Sequence, residues 1–159
     1  MIATDEQHNT PSGADEPHLY TIEQVATRTG LTKRTLRYYE EVGLLLPTGR
    51  TEGNYRQYSE ADIERVERIK KLRGLLGFSL TDIRELLELE DERGQLRAAY
   101  RNETDEAAKV TQLDRGDELI RGQLHLIEQK LAGLEQMRAS LQAQLEHHEQ
   151  IRNKLLNEE

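Results

Sequence analysis

No cysteine or tryptophan occurs in this chain, phenylalanine occurs once, and of three prolines none lies beyond Pro47. Without thiols there can be no disulfide, thiolate metal site, iron-sulfur cluster or redox-sensing sulfur. Large aromatics are scarce, with hydrophobic residues at 35% and charged ones at 33%, which excludes a thick core. What remains is solvated surface and narrow helical seam. The proline-free stretch after Pro47 favours helix throughout, so the expected fold is all-α. No apolar run approaches the roughly 18 residues of a membrane span, and the N-terminus lacks the basic and apolar regions of a signal peptide. A cytoplasmic, nucleoid-associated location with no membrane partner is therefore the expectation. A Gly-rich phosphate loop, a nucleophile beside a base and an HExxH motif are all missing, so no catalytic residues, no cofactor and no enzyme activity are expected. At 159 residues, one domain with an appendage fits and a large multidomain enzyme does not.

The net charge of -8 is unevenly spread. Residues 1–17 carry four acids and no Lys or Arg, and 89–159 carry ten bases against fifteen acids. The middle, 18–88, has twelve bases against eleven acids, so the acidity describes the two ends. Residues 1–17, rich in small polar residues with little to bury, read as a disordered acidic tail.

From Tyr20 the helix punctuation is regular. Thr21 followed by Gln24 is a capping box, Ile22, Val25, Ala26 and Thr29 recur at helical spacing, and Gly30 can close the helix in the left-handed conformation. Thr32 is the next N-cap, opening a second helix expected to stop at Gly43. Two short helices about a tight Gly-containing turn form a helix-turn-helix. At about 100° per residue, Lys33, Arg34, Arg37 and Tyr38 share the outward arc of the second helix, while Leu36 and Tyr39 face the opposite way for packing. A basic cluster is most often a solvated face. On the second helix of a helix-turn-helix, at the end that enters a major groove, it is instead a candidate DNA-reading surface.

Pro47, Gly49, Gly53 and Asn54 are turn residues between Leu44–Leu46 and Tyr55–Tyr58, which predicts a two-stranded hairpin, a wing, with Arg50 and Arg56 near its loop. Strand alternation puts Arg56 and Tyr58 on one side and Tyr55 and Gln57 on the other, and each of the two tyrosines is as readily a core filler as a phosphate contact. The DNA-binding candidates are thus Thr32, Lys33, Arg34, Arg37, Tyr38, Arg50, Asn54, Tyr55, Arg56 and Tyr58. Ser59 with Asp62 starts a third helix lined by Ile63, Val66, Ile69, Leu72 and Leu76, closed by Gly77. Ser79 starts a fourth with Leu80, Ile83 and Leu87 inward. The run Arg65, Arg68, Lys70, Lys71 and Arg73 reads as a solvated face interleaved with Glu64 and Glu67.

The stretches YTIEQVATRTGLTKRTLRYYEEVGLL and GNYRQYSEADIERVERIKKLRGLLGFSLTDIREL, from Leu19 to about Leu87, resemble the winged helix-turn-helix domain of the MerR family of transcription regulators. The TLRYYE helix, the G-L-L turn, the GNYR wing and the GFSL-x-x-I junction occur in the family's order. The resemblance implies a homodimer on double-stranded DNA at an inverted repeat, with the recognition helix in the major groove and the wing on flanking backbone. It also implies distortion of promoter DNA so that RNA polymerase can use it.

Farther on, Ile120, Leu124, Ile127, Leu131, Leu134, Leu141, Leu145 and Leu155 all fall on positions of a pattern that alternates steps of three and four, a heptad seam that marks a coiled-coil helix over 117–156. Such a helix, about 60 Å long, requires a partner strand. In the family this helix pairs antiparallel with its two-fold mate. Arg138, His148 and Arg152 also fall on the seam and mark where it is wet or meets the mate. The resemblance further places metal-sensing cysteines near the end of this helix, and this chain has none; the residues beyond are too few for the domain of drug-sensing members. Adjacent His147 and His148 point about 100° apart on a helix, so with His125 they make a poor zinc set and no metal is expected. Residues 89–116 read as a helical connecting segment folding back on the dimer, with plain packing around Tyr100 weighed above a small ligand pocket. An architectural or chromosome-anchoring protein with a coiled-coil partner-binding region is the alternative to a regulator. The effector, operator and sign of regulation are not written in the sequence.

Overall fold

The computed structural model describes residues 17–157, and the expected acidic tail lies almost wholly outside them. The chain divides at Ile69/Lys70 into two compact units. In the first, α1 (Ile22–Thr29) starts at the predicted capping box, Thr21 Oγ1 accepting from the Gln24 amide and Gln24 Oε1 from that of Thr21. Gly30 closes it with φ +70°, a left-handed conformation that glycine adopts without strain. Helix α2 (Lys33–Glu41) is capped by Thr32, whose hydroxyl accepts from the Thr35 amide at 3.1 Å.

Strands β1 (Gly49–Arg50) and β2 (Arg56–Gln57) pair antiparallel, Gly49 opposite Gln57 and Arg50 opposite Arg56. The wing is therefore present but shorter than expected. Leu44 and Leu45 are not strand residues: their amides both donate to the Tyr39 carbonyl, and their side chains are buried. Tyr20 forms a β-bridge with Tyr58, exchanging N–H···O bonds of 2.7 and 2.9 Å, which ties the chain entering α1 to the end of the wing. Helix α3 (Glu60–Lys70) starts where Ser59 and Asp62 exchange cap hydrogen bonds. Val25, Leu36, Leu45, Tyr58, Val66 and Ile69 are all fully buried, each aliphatic among them contributing about 1.5 to 3 kcal/mol relative to exposure.

The second unit opens with a π-helical turn, Lys71–Leu75. Its longer loop, with the Leu76 amide donating to the Lys71 carbonyl, shifts the helical phase. Leu76, expected on the inward stripe, is consequently 47% exposed, while Leu72 stays buried. Helix α4 starts at a Ser79/Asp82 capping box and runs from Leu80 to Asn102. After a turn whose Thr104 and Asp105 amides donate to the Glu103 carboxylate, α5 extends from Glu106 to Asn157, 52 residues or about 78 Å. The sequence placed a boundary at 88/89 and a separate segment over 89–116. The first falls inside α4, and the second is divided between α4, the turn and α5.

These helices form an antiparallel hairpin. Leu119 and Leu126 are buried, Arg93 donates to Gln123 Oε1, Arg115 pairs with Glu92 at 2.6 Å, and Lys130 donates to the Gly77 carbonyl at 2.5 Å. The helices come close at Gly122, where a Cβ would stand 3.2 Å from Leu89 Cδ1. Among the described residues, no helix is long and apolar enough to cross a membrane.

Candidate nucleic-acid interface

Helix α2 presents two faces. Leu36 is fully buried and Tyr39 nearly so, which fixes the helix's rotation. Arg34, Arg37 and Tyr38 are exposed on the opposite side. Lys33, equally exposed, lies 3.0 Å from Glu23 of α1, and this contact holds the Glu23 carboxyl below its ordinary value. Thr32, besides capping, stands 2.9 Å from the Thr35 hydroxyl.

The wing's tip is built from turn chemistry. The Asn54 amide donates to the Thr51 carbonyl and the Thr51 amide to the Tyr55 carbonyl, with Asn54 left-handed at φ 63°. The Arg50 guanidinium donates back to the Asn54 carbonyl at 3.2 Å. Tyr55 is 76% exposed and lies close over Gly53, where a Cβ would stand 3.0 Å from its ring.

The predicted alternation brings Arg56 and Tyr58 to the same side, and that side faces α2. Arg56 Nε donates to Glu40 Oε2 at 2.5 Å and the Tyr58 hydroxyl donates to Glu40 Oε1, so one carboxylate locks the end of the wing to α2. Tyr58 is wholly buried and cannot touch a ligand; its inclusion among the DNA-facing residues is corrected by that burial. Burial first, and then the bond to Glu40, pushes the Tyr58 phenol well above its ordinary value, so it remains a donor. Arg56 is committed to Glu40, which raises its pKa further. Sequence reading missed Glu40 as a structural clasp. The available signal was an acidic residue just past a basic helix face, with an arginine and a tyrosine spaced two apart on the following strand.

Two further ties brace this unit. Arg28 makes a bidentate pair with Glu60 at 2.8 and 2.7 Å, and its guanidinium carbon lies 4.9 Å from the Tyr20 ring centre. Hydrogen bonding from Arg28, then from Tyr20, holds the Glu60 carboxyl down to about 2. Arg65, expected on a solvated face, donates instead to the Leu44 carbonyl at 2.6 Å and so pins the loop between α2 and the wing.

The exposed set is therefore Thr32, Lys33, Arg34, Arg37 and Tyr38 on α2, with Arg50, Asn54 and Tyr55 on the wing. Guanidinium forks suit guanine edges and phosphates; hydroxyl and amide groups suit the sugar-phosphate backbone. The described residues contain no cluster of three or more His, Asp or Glu side chains able to hold a metal ion.

The dimerisation residues expected from the sequence all lie on α5, and all are exposed, from 38% at Ile120 to 68% at Leu145. Val110 and Leu113, at 57% and 55%, continue the same stripe toward the start of α5, beyond the predicted segment.

A model of the family described as MerR HTH family regulatory protein matches residues 20–90. The HTH-type transcriptional regulator YfmP of Bacillus subtilis is 36% identical over 121 residues, 76% of this chain and 86% of YfmP. The HTH-type transcriptional activator TipA of Streptomyces coelicolor is 40% identical over 83 residues, 51% of this chain but only 32% of TipA. Among solved structures, a MerR family regulator from Bacillus cereus covers 79% of this chain and 84% of its own, at 24% identity and a TM-score of 0.43. HiNmlR, a MerR family regulator lacking the sensor domain and bound to promoter DNA, covers 72% of this chain and 80% of its own, at 22% identity and a TM-score of 0.42.

Proposed function

Since this chain belongs to the MerR HTH family and is a DNA-binding transcription regulator, we propose that it acts as a homodimer on an inverted-repeat operator. Residues 18–88 serve as the DNA-binding head and the seam of α5, residues 117–156, as the dimerisation helix. Arg34 and Arg37 of α2 read base edges in the major groove, and Lys33, Thr32 and Tyr38 contact its walls. Arg50, Asn54 and Tyr55 of the wing meet the flanking backbone. Arg56 and Tyr58 act through Glu40, setting the wing's angle to α2. Bound in this way to the two half-sites, the dimer bends and untwists the promoter for RNA polymerase.

The observation that carries this reading is the two-faced α2, Leu36 and Tyr39 buried and Arg34, Arg37 and Tyr38 bare, clasped by Glu40 to a wing of exposed polar residues. Genome-wide occupancy tests it. One or a few strong palindromic sites support a regulator of defined promoters. Many dispersed sites without a shared palindrome would favour the architectural alternative and overturn this reading.

A further inference from the structure

We propose that α5 pairs with α5 of a second copy in one antiparallel register, its two-fold axis beside Ala132 and Gly133, so that Asp117 of each copy lies opposite His148 of the other. This inference rests on the homodimer proposed above and specifies its geometry. The seam is longer than its leucines suggest. Counting by heptads, Val110, Asp117, Leu124, Leu131, Arg138, Leu145 and Arg152 form one row, and a second row starts at Leu113 and ends at Leu155. Both rows are open: α4 covers the side of α5 carrying Leu119 and Leu126, and leaves Leu124, Leu131 and Leu134 about half exposed.

In a two-fold antiparallel pair, a residue of one row meets a residue of the other, and every contact occurs twice. Rows of this kind can slide only in whole heptads. With the axis beside Ala132–Gly133, Leu131 meets Leu134, Leu124 meets Leu141 and Ile120 meets Leu145. The acidic seam residue, Asp117, then meets a histidine able to donate to it. All layers from Val110 to Leu155 are filled. A slide of one heptad one way sets Asp117 against Leu141 and His148 against Val110. The opposite slide sets Asp117 against Leu155 and His148 against Leu124. Each strands Asp117 and His148 separately among aliphatics and shortens the overlap. A parallel pair would place Asp117, Arg138 and Arg152 each against itself, like charge on like charge. The arginines stay opposite aliphatics in the proposed register as well, Arg138 facing Ile127 and Arg152 facing Leu113, where their long stems pack and their heads reach water, so the Asp117–His148 pair is the polar contact that fixes the register.

The chain's lack of cysteine makes the test direct. In the full-length protein, Leu124→Cys with Leu141→Cys should form inter-chain disulfides on mild oxidation. The slid registers would instead link Leu124→Cys with Leu134→Cys, or Ile127→Cys with Leu145→Cys, and a parallel pair would link Leu124→Cys alone. Any of those three linking preferentially, or a dimer by sedimentation that links in none, would overturn the register while leaving the dimer standing. A monomeric wild type would overturn both. Charge exchange gives an independent reading. Asp117→Lys should weaken the dimer on the order of thirtyfold, and adding His148→Glu should recover most of that loss. A double variant no tighter than Asp117→Lys alone would refute the pairing.

Discussion

The head and the far half of α5 are both amphipathic helix, yet they solve the problem of the apolar face differently. In the head, Leu36, Leu45 and Val66 are fully buried and the caps, Glu40 clasp and Arg28–Glu60 pair are internal. From Leu131 to Asn157, every residue of α5 is exposed, Leu131, Leu141 and Leu155 by more than half. The head satisfies its own hydrophobic demand, whereas α5 leaves its stripe exposed, a demand that the proposed homodimer would meet with a second chain. Stability and assembly should therefore be separable by mutation.

The strongest separation is expected from Leu131→Asp with Leu134→Asp, which puts four charges at the centre of the dimer. Sedimentation should show a monomer, and circular dichroism a folded head. Operator affinity should fall by about 10² to 10⁴, the gain that two linked half-site contacts give over one. A variant that stays dimeric would merge the two regions again. The converse substitution, Leu36→Ala, opens a cavity under α2 and should cost about 2 to 5 kcal/mol of head stability. Its chemical denaturation midpoint should drop while cross-linked α5 remains helical.

Within the head, Glu40→Ala removes the acceptor shared by Arg56 and the buried Tyr58 hydroxyl. Leaving that hydroxyl unpaired should cost about 1 to 3 kcal/mol of stability. Operator affinity should fall with it, because the wing is no longer held to α2. An unaltered footprint at the wing's flanking phosphates would show that Glu40 is packing alone. Arg37→Ala should leave stability unchanged and weaken operator binding by about 1 to 3 kcal/mol, with little effect on random DNA. Equal losses on both DNAs would move Arg37 from reading bases to holding phosphate.

The same contrast decides what the sequence reveals. Helix starts were legible at Thr21, Thr32, Ser59 and Ser79 because a cap is a contact over three residues, and the α2 faces were legible because one period governs them. Leu76 was misplaced because the π-helical turn shifts the phase before it, a feature no regular period reports. The length of α4 was missed for a related reason: its partner stripe on α5 is made partly of Gly116, Gly122 and Gln123, which a search for leucines passes over. The Glu40 clasp joins residues sixteen and eighteen apart, beyond any local rule. In α5, by contrast, the heptad was plain in sequence, and the structure adds that α4 leaves it open.

The smallest effect belongs to Arg28–Glu60, a half-exposed tie of the head. Glu60 starts from an ordinary value of 4.5 and is held at about 2 in the folded head, chiefly by Arg28 and then by Tyr20. A carboxyl lowered by folding contributes stability above its unfolded value and loses it as pH falls through the folded one. The contribution should therefore be complete near neutrality, decline below about 4.5 and vanish near 2. Both side chains are roughly half exposed, at 43% and 53%, so solvent screening keeps it small. Comparing urea midpoints of the wild type and Glu60→Gln across that range, in a background already made monomeric by the α5 substitutions, isolates the pair from assembly. The wild type should lead slightly at pH 7, and the two should converge as the acid limit is approached. A gap that persists unchanged to pH 2 would mean that Glu60 stabilises α3 through its packing or its place in the first helical turn, and that the ion pair contributes nothing of its own.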